Sequence, residues 1–529
     1  MRFTSKEAPI YLTVALAVGI LLGSVLFSHR EQPVLLLNSP AGSKLDAVRH
    51  LIENYYFEPV DADSLTDGAV AALLETLDPH SSYISSREVR DYNAVLLGEF
   101  EGIGVTFNIL DDTITVISVT PAGPSQKTGV LAGDKIVRID GDEVAGVKIQ
   151  NSDVIRRLRG PKGTKVRIEV RRSGYDRTIP MEIVRDRIPI HSIDAAYMIR
   201  PETGYIQIQN FSATTGEEFS AALEKLKGQG MKRLILDLRG NSGGSLQTAI
   251  AVCDELLDRR LVIVSTRGKS TGTQVYRATS TGGFQSESQP LVVLIDEWSA
   301  SASEIVAGAV QDHDRGLILG RRSFGKGLVQ RGFTLYDSSE VLLTVARYYT
   351  PAGRCIQKPF DHYEEDIVNR YLRGEMQSSD SIPIADSLMF RTDKGRTVYG
   401  GGGIVPDIFV PLDTSGDYVL FNKLSQAGVL FRYALEYTDS HRSELQKYAD
   451  VRAFDRGFSV SGEMLAEILR RGGEKGVETG GATSGARLQV SKWCKAYIAR
   501  NLFGEEGFVY LSNREDKLVS KALKVLSEL

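Results

Sequence analysis

Histidine, cysteine and tryptophan are all scarce in this chain: its 529 residues hold seven His, three Cys and two Trp. Cys253, Cys355 and Cys494 are too few and too scattered for a zinc site or a disulfide framework, and they read as free, buried thiols. The histidines fall near turns, termini and loops; His80 in DPHSSYIS reads as a loop residue, and His313 follows a helical stretch. No histidine is thereby marked as the base of a hydrolytic triad, although a Ser-His-Asp set drawn from distant positions stays open. An excess of one charge is missing too. Net charge is −4 and the pI near 6.1, so nucleic acid is not an expected partner.

Long apolar runs are absent, with one exception. Ala8–Phe27, APIYLTVALAVGILLGSVLF, carries no charge, and about 20 residues at about 1.5 Å each match the roughly 30 Å hydrocarbon core of a bilayer. Arg2 and Lys6 precede it, which puts the N-terminus in the cytoplasm and the remainder outside. A cleaved signal peptide would have a shorter apolar region and a small-x-small site directly after it. Length and flanks favour an uncleaved anchor within residues 1–30.

The rest has a globular composition, 42% hydrophobic and 25% charged, and is long enough for roughly three domains. Residues 44–97 read as helices, with Leu45, Val48, Leu51, Ile52 and Tyr55 at helical spacing and a second run from Leu65 to Leu77. DPHSSYIS interrupts them as a turn. Over residues 98–187, short alternating strands such as VTFNI, TITVISV and KVRIEVR are separated by Gly, Asp and Pro turns, with two helix-like pieces. That pattern predicts a small β-rich module. Residues 188–411 alternate strand and helix through YIQIQN, RLILDL, LVIVST, LVVLID and GLILG, as α/β proteins do. Residues 412–529 are mostly helical, broken by GGEKGVETGGATSG at 472–485, which reads as a mobile surface loop.

GRRSFGKGLVQ, Gly320–Gln330, has the spacing of a phosphate loop, and LVVLIDE upstream resembles its acidic partner strand. A phosphate loop needs Ser or Thr after the lysine to hold Mg²⁺, and it must open a helix. Here Gly327 follows Lys326, and the period of two in KGLVQRGFTLYD predicts a strand. Lys326 is left for other chemistry.

Upstream, DEWSASASEIVAGAVQDHDRG joins a buried strand to a helix whose apolar face carries Ile305, Val306, Ala309 and Val310. A serine at such a turn is either an ordinary N-cap or an exposed nucleophile beside helix amides that stabilise negative charge. A serine nucleophile needs a base, and a lysine serves once burial lowers its pKa. Glycines flank Lys326, and Gln330 shares its face of the predicted strand; a neutral amide there orients the amine without holding it protonated. DLRGNSGGS, Asp237–Ser245, lies between a strand and a helix. Its backbone N–H groups face an oxyanion, bind phosphate, or merely make a tight turn.

Together SASASE, QD and FGKGLVQ, with DLRGNSGG upstream and YGGGGIVPD (Tyr399–Asp407) downstream, resemble the carboxyl-terminal processing peptidases. These tail-specific proteases are serine endopeptidases with a Ser-Lys dyad, and the resemblance covers residues 45–411. It implies that Ser301 is the nucleophile, Lys326 the base and Gln330 its orienting partner. It further implies an oxyanion hole from the backbone amides of Ala302 and Gly243, with Gly244 adjacent, and a supporting role for Asp312 of the QD pair. Trp298 stands where many relatives carry glycine, which alters the entrance to the site.

The resemblance also makes the β-rich module a PDZ domain. In EGIGVTF the amides of Ile103, Gly104 and Val105 would receive a substrate's C-terminal carboxylate, and the peptide would add as a strand. LAGDKIVRIDG supports the same assignment. The whole is then an α/β protease core with a mixed sheet, an inserted PDZ domain, helical N- and C-terminal sections and one transmembrane helix. Such a protein sits in the inner membrane with its catalytic part in the periplasm and cuts proteins with free, apolar C-termini. No metal or cofactor is implied, and self-association through the C-terminal helices is left open. The alternative is a non-catalytic PDZ scaffold on a protease fold; the presence of both Ser301 and Lys326 speaks against it.

Overall fold

The computed structural model describes residues 41–279, 282–414 and 416–529. The expected anchor, Ala8–Phe27, lies outside the described residues; among those described, no helix is long and apolar enough to cross a membrane. The chain divides into two compact units, one ending at Asp78 and the other running from Pro79 to Leu529. In the first, helices α1 (Ala41–Tyr55) and α2 (Ala62–Glu75) follow the predicted periodicity. Asp61 caps α2 by accepting the Asp63 N–H, as a short acidic side chain does at an N-cap.

The second unit opens with strand β1 (Ser82–Ile84), inside the stretch expected to be a turn; it pairs antiparallel with residues 340–342. A three-residue strand has too little alternation to be read from sequence. His80, expected as a plain loop residue, places its Nε2 2.6 Å from the Tyr363 hydroxyl. Helix α3 (Val89–Leu97) ends at Gly98, whose φ of 74° makes the left-handed cap, and leads into β2 (Glu99–Gly102).

The β-rich module holds β3 (Val105–Leu110), β4 (Thr113–Val119), α4 (Pro124–Lys127), β5 (Lys135–Ile139), β6 (Asp142–Glu143), α5 (Asn151–Leu158), β7 (Lys165–Arg171) and β8 (Ile179–Val184). Its sheet runs β3-β4-β5-β7-β8, with β6 on β5, so β3 is an edge. Val166, Ile168 and Val170 alternate inward along β7 and meet Val154 and Leu158 of α5, the period-two face that a half-buried strand requires. β9 (Asp186–Pro189) leaves the module and pairs with β2. Entrance and exit thus form a two-stranded ribbon.

The core continues with β10 (Ile193–Arg200), β11 (Thr203–Ile208), α6 (Thr215–Gly228), β12 (Arg233–Asp237), α7 (Leu246–Leu256), β13 (Val262–Gly268), β14 (Gly272–Arg277), β15 (Leu291–Ile295), α8 (Ala302–Asp312) and β16 (Leu317–Gly320). Then come β17 (Leu328–Thr334), β18 (Glu340–Tyr349), α9 (Asp366–Leu372), β19 (Met389–Arg391), β20 (Thr397–Tyr399) and β21 (Ile408–Phe409). The central sheet is ordered β10-β11-β12-β15-β16-β21 and is parallel except for β10 on β11. Its inner strands are apolar on both faces, as a covered parallel sheet demands. Leu234, Leu236 and Val293 face α6, α7 and α8, whereas Ile235, Val292 and Leu294 face the C-terminal helices. A second sheet, β1-β18-β13-β14 with β17 on β18, packs beside it.

The last section contains α10 (Asp417–Gln426), α11 (Val429–Ser440), α12 (Arg442–Leu445), α13 (Val451–Gly457), α14 (Gly462–Glu474), α15 (Ser484–Ser512, kinked at Gly504) and α16 (Lys517–Glu528). Most of it has a core of its own around Leu430, Phe454 and Ile498. Helix α16 instead lays Leu518, Val519 and Ala522 on the central sheet, so it covers that face of the α/β core. The glycine-rich stretch is shorter as a loop than its composition implies: Gly472 and Gly473 belong to α14, and Ser484 and Gly485 open α15. Of the cysteines expected to be buried, Cys253 and Cys494 are, while Cys355 is only partly covered.

Candidate active site

Strands β12 and β15 are neighbours, so the turns leaving their carboxyl ends meet, the usual place for a site in an open α/β sheet. DLRGNSGG leaves β12 and WSASAS leaves β15. Asn241 joins them: its carbonyl accepts the Ala300 N–H at 3.0 Å and the Ser303 hydroxyl at 2.9 Å. A Cβ at Gly243 would stand 2.7 Å from Ser301 Cβ and 2.9 Å from the Ala302 nitrogen, so only glycine fits there.

The three serines of SASAS have different fates. Ser299 and Ser303 are fully buried, and their hydroxyls donate to the carbonyls of Leu238 and Asn241. Ser301 is partly exposed and lines a cavity of about 440 Å³ together with Lys326 and Gln330. Its backbone sits at φ 53°, ψ −110°, a strained conformation for a non-glycine residue. A sharp strand-to-helix turn of this kind also carries the serine of G-x-S-x-G hydrolases, whose sequence is absent here. The cavity wall is completed by Tyr92 and Leu96 of α3, Leu246 and Ile305.

Lys326 lies just before β17, so a strand rather than a helix follows it, and the phosphate-loop alternative lacks its helix N-terminus. A bulge between Val329 and Gln330 breaks the predicted alternation, and both residues face the cavity. The Gln330 amide donates to Thr344 Oγ1 at 3.3 Å.

Two residues overlooked in the sequence hold this corner. Glu304 is fully buried. Its carboxylate accepts the amides of Ser301 (2.8 Å), Lys326 (2.9 Å) and Gly325 (2.8 Å) and the Ser323 hydroxyl (2.5 Å). Burial raises its pKa to about 6, against the lowering effect of those hydrogen bonds. Tyr348 is the other: its hydroxyl lies 3.0 Å from the Ser301 carbonyl and 2.5 Å from that of Lys326. A glutamate inside an apolar helical run and a tyrosine in a strand carry no motif of their own. Phe324 and Tyr363 sandwich Lys358 Nζ at 3.9 and 4.1 Å from their ring centres. Gly403, whose Cβ would come 2.5 Å from the Ser323 carbonyl, lets YGGGGIVPD pack on the same loop.

The expected oxyanion donors are only partly available. The Ala302 amide is the first of α8 and has no acceptor among the described residues, as helix geometry leaves it. The Gly243 amide, by contrast, donates to Asn241 Oδ1 at 2.8 Å. Gly244 lines the cavity as well; its parallel bridge to Phe211 uses the Gly243 carbonyl and the Ser245 amide, so its own N–H takes no part in that bridge. Asp312 is at the far end of α8, about 15 Å along its axis from Ala302. It bonds Arg354 Nη2 and the Ala352 amide. Trp298 is exposed on the turn. In the β-rich module, Ile103 is buried and Gly104 adopts φ 74°. Their amides meet no acceptor among the described residues, and Val105 begins the free edge strand β3.

Comparison with known proteins bears on this arrangement. Residues 202–368 match peptidase family S41, residues 102–183 the PDZ domain, and residues 420–504 a family of unknown function. A carboxy-terminal-processing protease of Bartonella bacilliformis is 36% identical over 419 residues, covering 78% of this chain and 92% of that protein. The chain belongs to the carboxy-terminal processing proteases of family S41. Carboxy-terminal processing protease CtpA of Bacillus subtilis is 34% identical over 316 residues, covering 60% of this chain and 66% of that protein. Among solved structures, photosystem II D1 C-terminal processing protease is 28% identical over 68% of this chain and 86% of that one, with a TM-score of 0.36. The protease is thus a serine-type peptidase with a PDZ domain and a helical C-terminal region.

Proposed function

We propose that the protease cleaves protein substrates near their C-terminal tails with Ser301 as nucleophile and Lys326 as general base. The observation that carries this reading is the shared cavity of Ser301, Lys326 and Gln330, while both neighbouring serines spend their hydroxyls on backbone carbonyls. Neutral Lys326 Nζ takes the Ser301 Oγ proton as Oγ attacks the peptide carbonyl. Negative charge develops on the carbonyl oxygen, against the Ala302 amide at the positive end of α8 and the Gly244 amide. The lysine ammonium then gives its proton to the departing amine. Water, deprotonated by the same lysine, hydrolyses the acyl-enzyme. Gln330, held by Thr344, orients the amine, and Asp312 braces the far end of α8.

In the same reading the PDZ amides of Ile103, Gly104 and Val105 receive the substrate's free carboxylate, and an apolar tail adds to β3 as a strand. The N-terminal apolar run anchors the protease in the cytoplasmic membrane, with its catalytic part outside the cytoplasm; fractionation of the full chain with and without residues 1–30 tests that placement.

The catalytic assignment is tested by three serine variants against an unstructured reporter with an apolar C-terminus. Ser301→Ala should lower cleavage by at least about 10³-fold with its melting temperature kept. Ser299→Ala and Ser303→Ala should keep activity per folded molecule and melt earlier. An active Ser301→Ala variant would sink the assignment.

A further inference from the structure

Ser301 follows β15 of the central sheet, and Lys326 lies between β16 of that sheet and β17 of the second. Pairing of β15 with β16, and the Phe324 N–H donating to the Ser299 carbonyl at 2.9 Å, bring the two loops side by side, but neither residue is itself in a strand. Glu304 grips the amide of each, and Tyr348 meets the carbonyl of each. Tyr348 stands on β18, which pairs with β17, and its own amide donates to the Gly327 carbonyl at 3.0 Å. The phenol is therefore fixed to the lysine's side and reaches across to the serine's.

We propose that Tyr348 is a positioning residue of the protease, whose hydroxyl ties the main chains of Ser301 and Lys326 together across the two sheets. The proposal rests on the Ser301–Lys326 reading above. A buried tyrosine needs only one partner for its hydroxyl; this one, 1% exposed, lies within hydrogen-bond distance of both residues of the pair and lines their cavity. Both partners are carbonyls, so the single phenolic proton serves them as a three-centre hydrogen bond. The Lys326 carbonyl is the nearer acceptor, and the Ser301 carbonyl also accepts the amides of Glu304 and Ile305. Burial and the nearby Glu304 carboxylate push the phenol's pKa well up, so it stays a donor throughout the working range. Proton transfer between serine and lysine depends steeply on their separation, and the phenol limits that separation from the carbonyl side as Glu304 does from the amide side.

The test is Tyr348→Phe in the full chain, which keeps the ring and removes only the oxygen. Reporter cleavage should show kcat lowered about tenfold with KM within about twofold. Labelling of Ser301 by a small fluorophosphonate, read by mass, should slow in parallel. A purely structural tyrosine would lower the melting temperature and leave both rates per folded molecule unchanged. A kcat within about twofold of wild type, or a loss confined to KM, overturns the proposal. If Tyr348→Phe does not fold, Tyr348→Met, an adaptable gap-filler, is read in the same way. Wild-type rates in Tyr348→Phe beside an inactive Lys326→Arg remove only the positioning role, whereas an active Lys326→Arg removes the dyad itself.

Discussion

The corner around Glu304 and the seam between the PDZ domain and α11 both rely on charged groups, yet they are opposite kinds of contact. Glu304 is 0% exposed and serves four donors on two separate segments of chain. In the seam, Arg432 reaches Asp111 at 2.5 Å, but the Asp111 side chain is 76% exposed. Arg442 adds one bond to the Ala132 carbonyl, and a cavity of about 500 Å³ is left between the two sides. A buried carboxylate cannot move without stranding its donors, each costing about 1–3 kcal/mol. An exposed ion pair opens for at most about 1 kcal/mol and is screened by salt. The PDZ domain is joined to the rest through the β2–β9 ribbon and, at this seam, by exposed contacts that cost little to open, whereas the corner around Glu304 is fixed by a buried one.

Removing Glu304 should give the largest effect. Glu304→Ala leaves buried amides unpaired and should cost about 3 kcal/mol or more of stability, along with most activity. Its titration has a definite sign. The folded-state pKa near 6 exceeds the ordinary 4.5, so the folded protein holds this proton more tightly than the unfolded chain. Its contribution is therefore present below about pH 4.5 and lost by about 2 kcal/mol as pH rises through 6. Glu304→Gln should abolish that slope; an unchanged slope in denaturant titrations would show that another group carries it.

An intermediate effect is expected at the carboxylate loop. Gly104→Phe forces a side chain onto φ 74° and brings its Cβ within 3.0 Å of Ile188 Cδ1. Binding of a peptide with a free C-terminus should weaken about tenfold or more, while a C-terminally amidated peptide, already lacking the charge, should change little. Equal losses for both would remove the carboxylate from the account. The smallest effect belongs to the seam. Arg432→Ala should lower stability by at most about 1 kcal/mol, and less in high salt. Amide exchange should rise around Asp111. A loss comparable to that of Glu304→Ala would erase the distinction between the two regions.

Much of this was legible in the sequence because the signals were local. The boundaries of α8 follow from an apolar face bracketed by a serine turn and His313, and the strands of the parallel core announce themselves as apolar runs. What was hidden depends on partners far along the chain. β1 is a strand only because residues 340–342 lie beside it. His80 has a partner 283 positions away in Tyr363. Glu304 looks like any helical glutamate until Ser323, Gly325 and Lys326 fold back onto it. Sequence places the Gly243 amide beside the site without revealing that it donates to Asn241, two residues earlier.

The central claim is that Lys326 works as a base. Arginine retains the positive charge and stays protonated at any working pH, so the decisive measurement is reporter cleavage across pH by wild type and Lys326→Arg, with no nucleotide or metal added. Wild-type activity should rise with pH as the amine loses its proton, and Lys326→Arg should be as inactive as Lys326→Ala at every pH. Substantial cleavage by Lys326→Arg would contradict the account.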